Sequence, residues 1–293
     1  MVFEKNIKDN ANILVVDEAG GFQVLEHQKD LSVSNAEAIW EYYASKMNVK
    51  RRQLLIHLED SSCTLQAGAM QWMSGNVSMN SGIKGAGDFI GKMFSAAVTG
   101  ETASKPQYSG TGSVMLEPTY QHIVLIDVSG WGSIVLDDGL FLACDSNLKH
   151  KIVARSNVSS ALLGGEGLFN LCLEGKGIVA IESPVPMDEI IPVYLENDCL
   201  KIDGNMALAW SSTLNFTVEK AGKSLLGSAA SGEGLVNVYR GTGTVLLAPT
   251  IKDPVISANN AGSENSKSKS KTEKFGQAID VLDNITDIID LFN

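Results

Sequence analysis

The sequence has no apolar leader, no C-x-x-C pair and no basic face. Its start, MVFEKNIKDN, lacks the apolar h-region of a secretory signal. No run approaches the roughly 18 consecutive apolar residues needed to cross a bilayer, and apolar runs such as Ile123–Ile126 have strand length. These absences predict neither secretion nor direct membrane insertion, and set the expectation of a cytoplasmic protein. The cysteines Cys63, Cys144, Cys172 and Cys199 are widely spaced and are expected to be reduced and buried. The N-x-S/T sequons at Asn76, Asn157, Asn215 and Asn284 carry no meaning without secretion. Positive charge is scarce: 23 Lys and Arg against 34 Asp and Glu leave a formal net charge of −11. That balance repels phosphate and argues against nucleic acid and anionic membranes as partners. Lys50-Arg51-Arg52 is the only basic triplet, and it is expected to be solvated surface.

Signatures of chemistry are equally sparse. The four histidines, His27, His57, His122 and His150, have no second histidine or cysteine at metal-ligand spacing, so no zinc site is expected. There is no G-x-S-x-G elbow and no Walker lysine. GAGDFIG from Gly85 spaces its glycines as G-x-G-x-x-x-G, off the dinucleotide pattern. The expectation is no catalytic residue and no cofactor.

What the chain does have is repetition. YSGTGSVMLEPT begins at Tyr108 and YRGTGTVLLAPT at Tyr239, with a worn copy, LEGKGIVAIESP, between them. The leading glycines Gly110, Gly175 and Gly241 are 65 and 66 residues apart. GEGLFN at Gly165 returns as GEGLVN at Gly232, and glycine turns recur at Ala67-Gly68, Asp138-Gly139 and Asp203-Gly204. In each phrase G-x-G permits unusual backbone angles, a β-branched and apolar run follows, and Pro118, Pro184 or Pro249 ends it. The Asp-Gly dipeptides suggest tight hairpins. HIVLIDV and GSIVLDDGLFLAC are apolar on both faces, which predicts burial between sheets or in a subunit interface. LKIDGNMALAWSSTLNFTV alternates. The fold expected is an all-β core over 53–250 of three pseudo-repeats, near 53–118, 119–184 and 185–250.

The G-E-G-L phrase, the Y-x-G-x-G-x-V-x-L-x-P phrase and the three-unit layout resemble the AIM24 family, a DUF124-type group, over roughly 50–250. That resemblance implies a fold similar to the tryptophan RNA-binding attenuation protein, an all-β, double-stranded β-helix-like architecture. It also implies a scaffold-like role, since the family's mitochondrial member is linked to inner-membrane organisation. It carries no RNA or tryptophan site onto any residue here.

The ends differ from the core. Residues 1–52 hold two strand-like runs, ANILVVDE and GFQVLEHQ, joined by Ala19-Gly20-Gly21, then a short helix. Ser34 and Glu37 form an S-x-x-E capping box. Ile39, Trp40, Tyr43 and Met47 make one apolar face, expected to pack on the β core, with a binding face as the alternative. Residues 251–272 read as a polar linker and 273–293 as a C-terminal amphipathic helix. There Ala278, Leu282, Ile285, Ile289 and Phe292 form an apolar stripe opposite Asp280, Asp283, Asp287 and Asp290. An acidic face disfavours anionic lipid, and the stripe either docks on its own core, or grips a protein partner or self-associates.

Glu101, Glu166 and Glu233 occupy matching places in the three units, 65 and 67 residues apart. On a common axis they could hold a hard cation, but exposed turn residues are the expected outcome. The leading functional expectation is a non-enzymatic scaffold or interaction module that self-associates, because strands apolar on both faces need more cover than one chain supplies. The alternative is a ligand-binding protein or enzyme with a barrel-like pocket lined by His57, His122 or the glutamate trio.

Overall fold

The computed structural model describes residues 5–7, 9–82, 105–137, 139–154, 169–220 and 235–250. The chain divides into two units, Met1–Lys252 and Asp253–Asn293, and everything described belongs to the first. The linker and tail-helix expectations lie outside the described residues.

The β-branched and apolar runs form strands throughout. In chain order they are β1 (Ile13–Ala19), β2 (Phe22–His27), β3 (Arg52–Leu65), β4 (Met70–Asn80), β5 (Gln107–Leu116), β6 (His122–Asp127), β7 (Ser133–Leu136) and β8 (Phe141–Asp145). Then follow β9 (Lys149–Ala154), β10 (Phe169–Glu174), β11 (Ile178–Ser183), β12 (Ile191–Asp203), β13 (Ala207–Ser211), β14 (Asn215–Lys220) and β15 (Leu235–Leu247). Among the described residues one α-helix, α1 (Ala38–Lys46), lies between β2 and β3. The first sheet runs β1-β2-β3-β8-β11-β6, with β5 also on β3 and β4 on β5. Its end strands β1 and β6 come together, so the sheet nearly closes into a barrel. The second sheet runs β12-β15-β13-β7-β10-β9, with β14 also on β15.

Among the described residues four apolar clusters fill this arrangement, the smallest being Leu25, Leu55 and Met115 on the other face of the first sheet. Phe22, Val24, Leu54, Ile56, Val114 and Leu116 pack within the first sheet, and Val135, Leu195, Ile202, Trp210 and Tyr239 within the second. Between the sheets lie Val124, Ile126, Val179 and Ile181 from one side, with Ile134, Leu136, Leu173 and Leu246 from the other. The strands expected to be apolar on both faces sit here. In β6, Val124 and Ile126 enter the shared core while Ile123 enters the first sheet's own core. One chain therefore covers both faces, and the need for cover gives no reason to expect an oligomer.

Local register explains the repeated phrases. At each one a strand takes a two-for-one step against its neighbour. Met115 and Leu116 face Trp72 and Met70, Ala180 and Ile181 face Ala143 and Phe141, and Leu246 and Leu247 face Ala209 and Ala207. The glycines permit close strand approach. A Cβ on Gly110 would stand 2.0 Å from the Asn76 carbonyl oxygen, and Gly110 has φ +132°. Opposite the phrase, β3 and β12 carry a matching bulge. Leu58 faces Gly112 and Ser61 faces Gly110, just as Leu195 faces Gly243 and Asp198 faces Gly241. The bulged Asp60 (φ +48°) donates its N–H to Thr111 Oγ1 at 3.1 Å, and Asn197 (φ +51°) donates to Thr242 Oγ1 at 3.0 Å. The middle threonine of G-T-G thus satisfies a backbone group that the bulge removes from the ladder.

Several expectations need correction. The strands flanking Gly68, Gly139 and Gly204 do not pair with each other, so these turns are corners and not tight hairpins. At Gly139 the chain passes from β7 in the second sheet to β8 in the first. Strand β13 does not alternate; all five of its residues are buried. Cys199 is exposed, while the other three cysteines are buried and all four are free thiols. The helix begins at Ala38 with Glu37 as its cap residue and no side-chain cap. The Ser34 hydroxyl donates to the Glu37 carboxylate at 2.5 Å instead of to the backbone, so no capping box forms. Finally, α1 has no buried residue, and its apolar face does not pack on the β core.

Candidate functional site

The β3 bulge and the Gly20-Gly21 turn between β1 and β2 leave an open cleft of about 700 Å³ on the first sheet. That volume is in the usual range of small-molecule sites. Gln23, His57 and Ser113 line it, from β2, β3 and β5. Register brings His57 opposite Ser113, and Gln23 one step across on β2.

The hydrogen bonds assign the protons. The Glu18 carboxylate takes a bond from the Gln23 amide nitrogen at 3.1 Å. The Gln23 carbonyl Oε1 therefore faces His57 Nε2, at 3.1 Å, and accepts its proton. Nδ1 is then the acceptor, and the Ser113 hydroxyl donates to it at 3.1 Å. Ser113 is only 7% exposed, so its bond to the imidazole has little competition from water.

The basic triplet is a clamp and not a solvated surface. Arg52 is 3% exposed and donates to Glu26 Oε2 through Nε at 3.0 Å and Nη2 at 2.8 Å. Lys50 Nζ reaches Glu26 Oε1 at 2.7 Å, and Arg51 pairs with Asp30 at 3.7 Å. Burial alone would raise the Glu26 carboxyl; the Lys50 hydrogen bond and the Arg52 charge outweigh it and hold the carboxyl below the ordinary range. The physical reason is register, because β2 places Glu26 directly opposite Arg52. Arg52 also binds Asn48, donating to Oδ1 at 2.8 Å, and so fastens the C-terminal end of α1.

Beyond that clamp α1 stands in solvent. Trp40 and Met47 are 76% exposed and Tyr43 62%; Ile39 and Tyr42 are exposed as well.

Other candidates fare differently. His122 sits at the start of β6 and does not line the cleft. His150, on β9, lines a separate opening of about 320 Å³ and lies 3.3 Å from Cys144 Sγ. Burial first, and then the Asp145 charge, raises the Cys144 thiol, so it is protonated and inert as a nucleophile. Cys63 is pushed up to about 12 by the same two causes. Among the described residues no group of three His, Cys, Asp or Glu could hold a metal, and no helix is long and apolar enough to cross a membrane. Glu101, Glu166 and Glu233 lie outside the described residues, as do Ala278, Leu282, Ile285, Ile289 and Phe292. Sequence reasoning named His57 but missed Gln23, Glu18 and Ser113. No motif joins residues 34 and 56 positions from the histidine.

Two curled sheets, each with a bulged strand opposite a G-T-G phrase, define a particular class of β protein. Residues 46–250 match the family described as mitochondrial biogenesis AIM24, and the chain belongs to that family. An uncharacterised protein of Streptococcus pyogenes serotype M6 is 31% identical over 194 residues, which span 64% of this chain and 76% of that one. A crystal structure of another S. pyogenes protein superposes with a TM-score of 0.52 at 28% identity, covering 70% of this chain and 90% of that chain.

Proposed function

We propose that this protein is a scaffold or interaction module that self-associates through α1. One observation carries the reading: a helix locked in place by Arg52 and Asn48 presents its entire apolar face to water. Contiguous exposed aromatics on a clamped element mark a contact surface.

The occupant is a second copy of the chain, and the charge pattern supports that choice. The first turn of α1 is acidic at Glu41 and the last is basic at Lys46. Two such helices packed antiparallel, with the two-fold axis between Tyr43 and Ala44, set Trp40 against the second copy's Met47. The same axis sets Glu41 against the second copy's Lys46. A two-fold contact requires such self-complementarity. The three phrases, with their shared register step, belong in this proposal to three related units near 53–118, 119–184 and 185–250. From the sequence alone, the stripe of Ala278, Leu282, Ile285, Ile289 and Phe292 is proposed as a second adhesive face for another protein in the cytoplasm.

Light scattering on the full chain tests the α1 contact. Trp40→Ala should weaken association by roughly 30-fold or more, as for a central aromatic anchor. Glu41→Lys and Lys46→Glu should each weaken it a few-fold, and the double exchange should restore it. A wild-type mass of one chain at high concentration would overturn the reading.

A further inference from the structure

We propose that Ser113 is a nucleophile that accepts the acyl group of a small uncharged ester, with His57 as its general base. This goes beyond the self-association reading and does not depend on it.

Geometry is the first support. The chain Glu18, Gln23, His57, Ser113 fixes one tautomer of the imidazole and aims the Nδ1 lone pair at the serine hydroxyl. That is the arrangement of an activated nucleophile: nucleophile, base, and a third group orienting the base. A neutral amide in the third place suffices, as in Cys-His-Asn enzymes. Gln23 and Glu18 are positioning residues.

The cleft supplies the rest. Ser61 Oγ accepts from Glu59 N–H and Thr111 Oγ1 from Asp60 N–H, both at 3.1 Å. Each hydroxyl keeps its own proton, so each can donate to an oxyanion in the cleft that both line. Among the described residues no lysine or arginine lines the cleft, whereas Glu59 does and Glu18 stands behind Gln23. Anionic acyl compounds are repelled and uncharged ones admitted.

The steps balance as follows. Ser113 Oγ adds to the ester carbonyl carbon while its proton passes to His57 Nδ1. The tetrahedral adduct collapses, the bond to the alcohol oxygen breaks, and the departing alkoxide takes the proton from Nδ1. Water, deprotonated by the same nitrogen, adds to the acyl-serine. Collapse then releases the carboxylic acid and returns the proton to Ser113 Oγ. Ester and water become acid and alcohol.

The second sheet provides an internal control, since at the corresponding pair Tyr194 faces Thr244 and no imidazole is present. The experiment is labelling of the full chain with a fluorophosphonate probe, followed by peptide mapping and turnover of p-nitrophenyl acetate. The expected result is one label per chain, on Ser113 and not Thr244. Ser113→Ala should abolish it and His57→Asn slow it about 100-fold or more. Gln23→Met should slow turnover and Gln23→Glu, which keeps an acceptor at Nε2, should rescue it. Thermal unfolding confirms that each variant folds; if one does not, the mapped wild-type label decides alone. An unlabelled Ser113 in folded wild-type protein would overturn the proposal. So would a folded His57→Asn variant that labels as fast as wild type.

Discussion

The two sheets use one local device and surround it differently. Each has a long strand with a two-residue bulge opposite a G-T-G phrase, and each caps the bulged N–H with the phrase's threonine. In the first sheet the crossing is crowded. Gly110 lies against the Asn76 backbone, His57 is bonded on both ring nitrogens, and the Arg52–Glu26 pair on the same strands is nine-tenths buried. In the second, the nearest atom to a Cβ on Gly241 would be the Thr213 carbonyl oxygen at 3.5 Å. Tyr194 points into solvent, and the Arg240–Glu219 ion pair is exposed. Aromatic packing of Trp210, Phe216 and Tyr239 takes the place of the polar chain. Thus the phrase specifies a backbone crossing, and the residues around it decide whether that crossing becomes a cleft.

Paired substitutions sharpen the comparison. The largest effect should come from Gly110→Ala, whose Cβ meets backbone that has nowhere to move. It should cost about 4 kcal/mol or more. Gly241→Ala has a similar φ, +124°, without the clash, and should cost about 1–3 kcal/mol of backbone strain. Equal losses in urea unfolding would show that φ alone governs both sites.

Next in size is the clamp. Arg52→Met strips a buried partner from Glu26 and should destabilise by about 3 kcal/mol. Arg240→Met, at an exposed pair, should leave the unfolding midpoint unchanged. The pH dependence follows from the sign of the Glu26 shift. Its carboxyl is held low in the folded state, so its contribution is full above the ordinary glutamate range and fades as pH falls through the depressed value. The stability gap between wild type and Arg52→Met should therefore narrow on acidification. A gap that widened would mean that Glu26 is not the group that Arg52 serves.

The smallest effect should be the threonine caps. Thr111→Val and Thr242→Val each remove one acceptor from a bulged N–H near solvent and should cost about 1 kcal/mol, alike in both sheets. If Thr111→Val also slows probe labelling while keeping stability near wild type, its hydroxyl serves the cleft as well as the bulge.

Part of this was legible in the chain. The G-x-G phrases, the β-branched runs after them and the terminating prolines are local, so strand positions and the all-β class could be read directly. Burial on both faces of HIVLIDV could also be read, because it depends only on an unbroken apolar run. Which strand covers which could not. That ignorance produced the two largest errors. The basic triplet looked solvated because its partner, Glu26, is 26 residues from Arg52 and arrives only through the β2–β3 register. The amphipathic α1 looked like a core helix because periodicity reports an apolar face and not whether anything lies against it.

By itself the sequence determined the β class, the acidic surface and the points where strands must cross closely. Those depend on side-chain type and backbone freedom within a few residues. Tertiary structure alone decided that Glu26 and Arg52 are buried together, that α1 faces water, and that Glu18, Gln23, His57 and Ser113 form one chain. The ion pair and the polar chain rest on cross-strand register, which sums packing over the whole sheet and leaves no local mark on the residues it joins; the exposure of α1 depends on which surface lies against it.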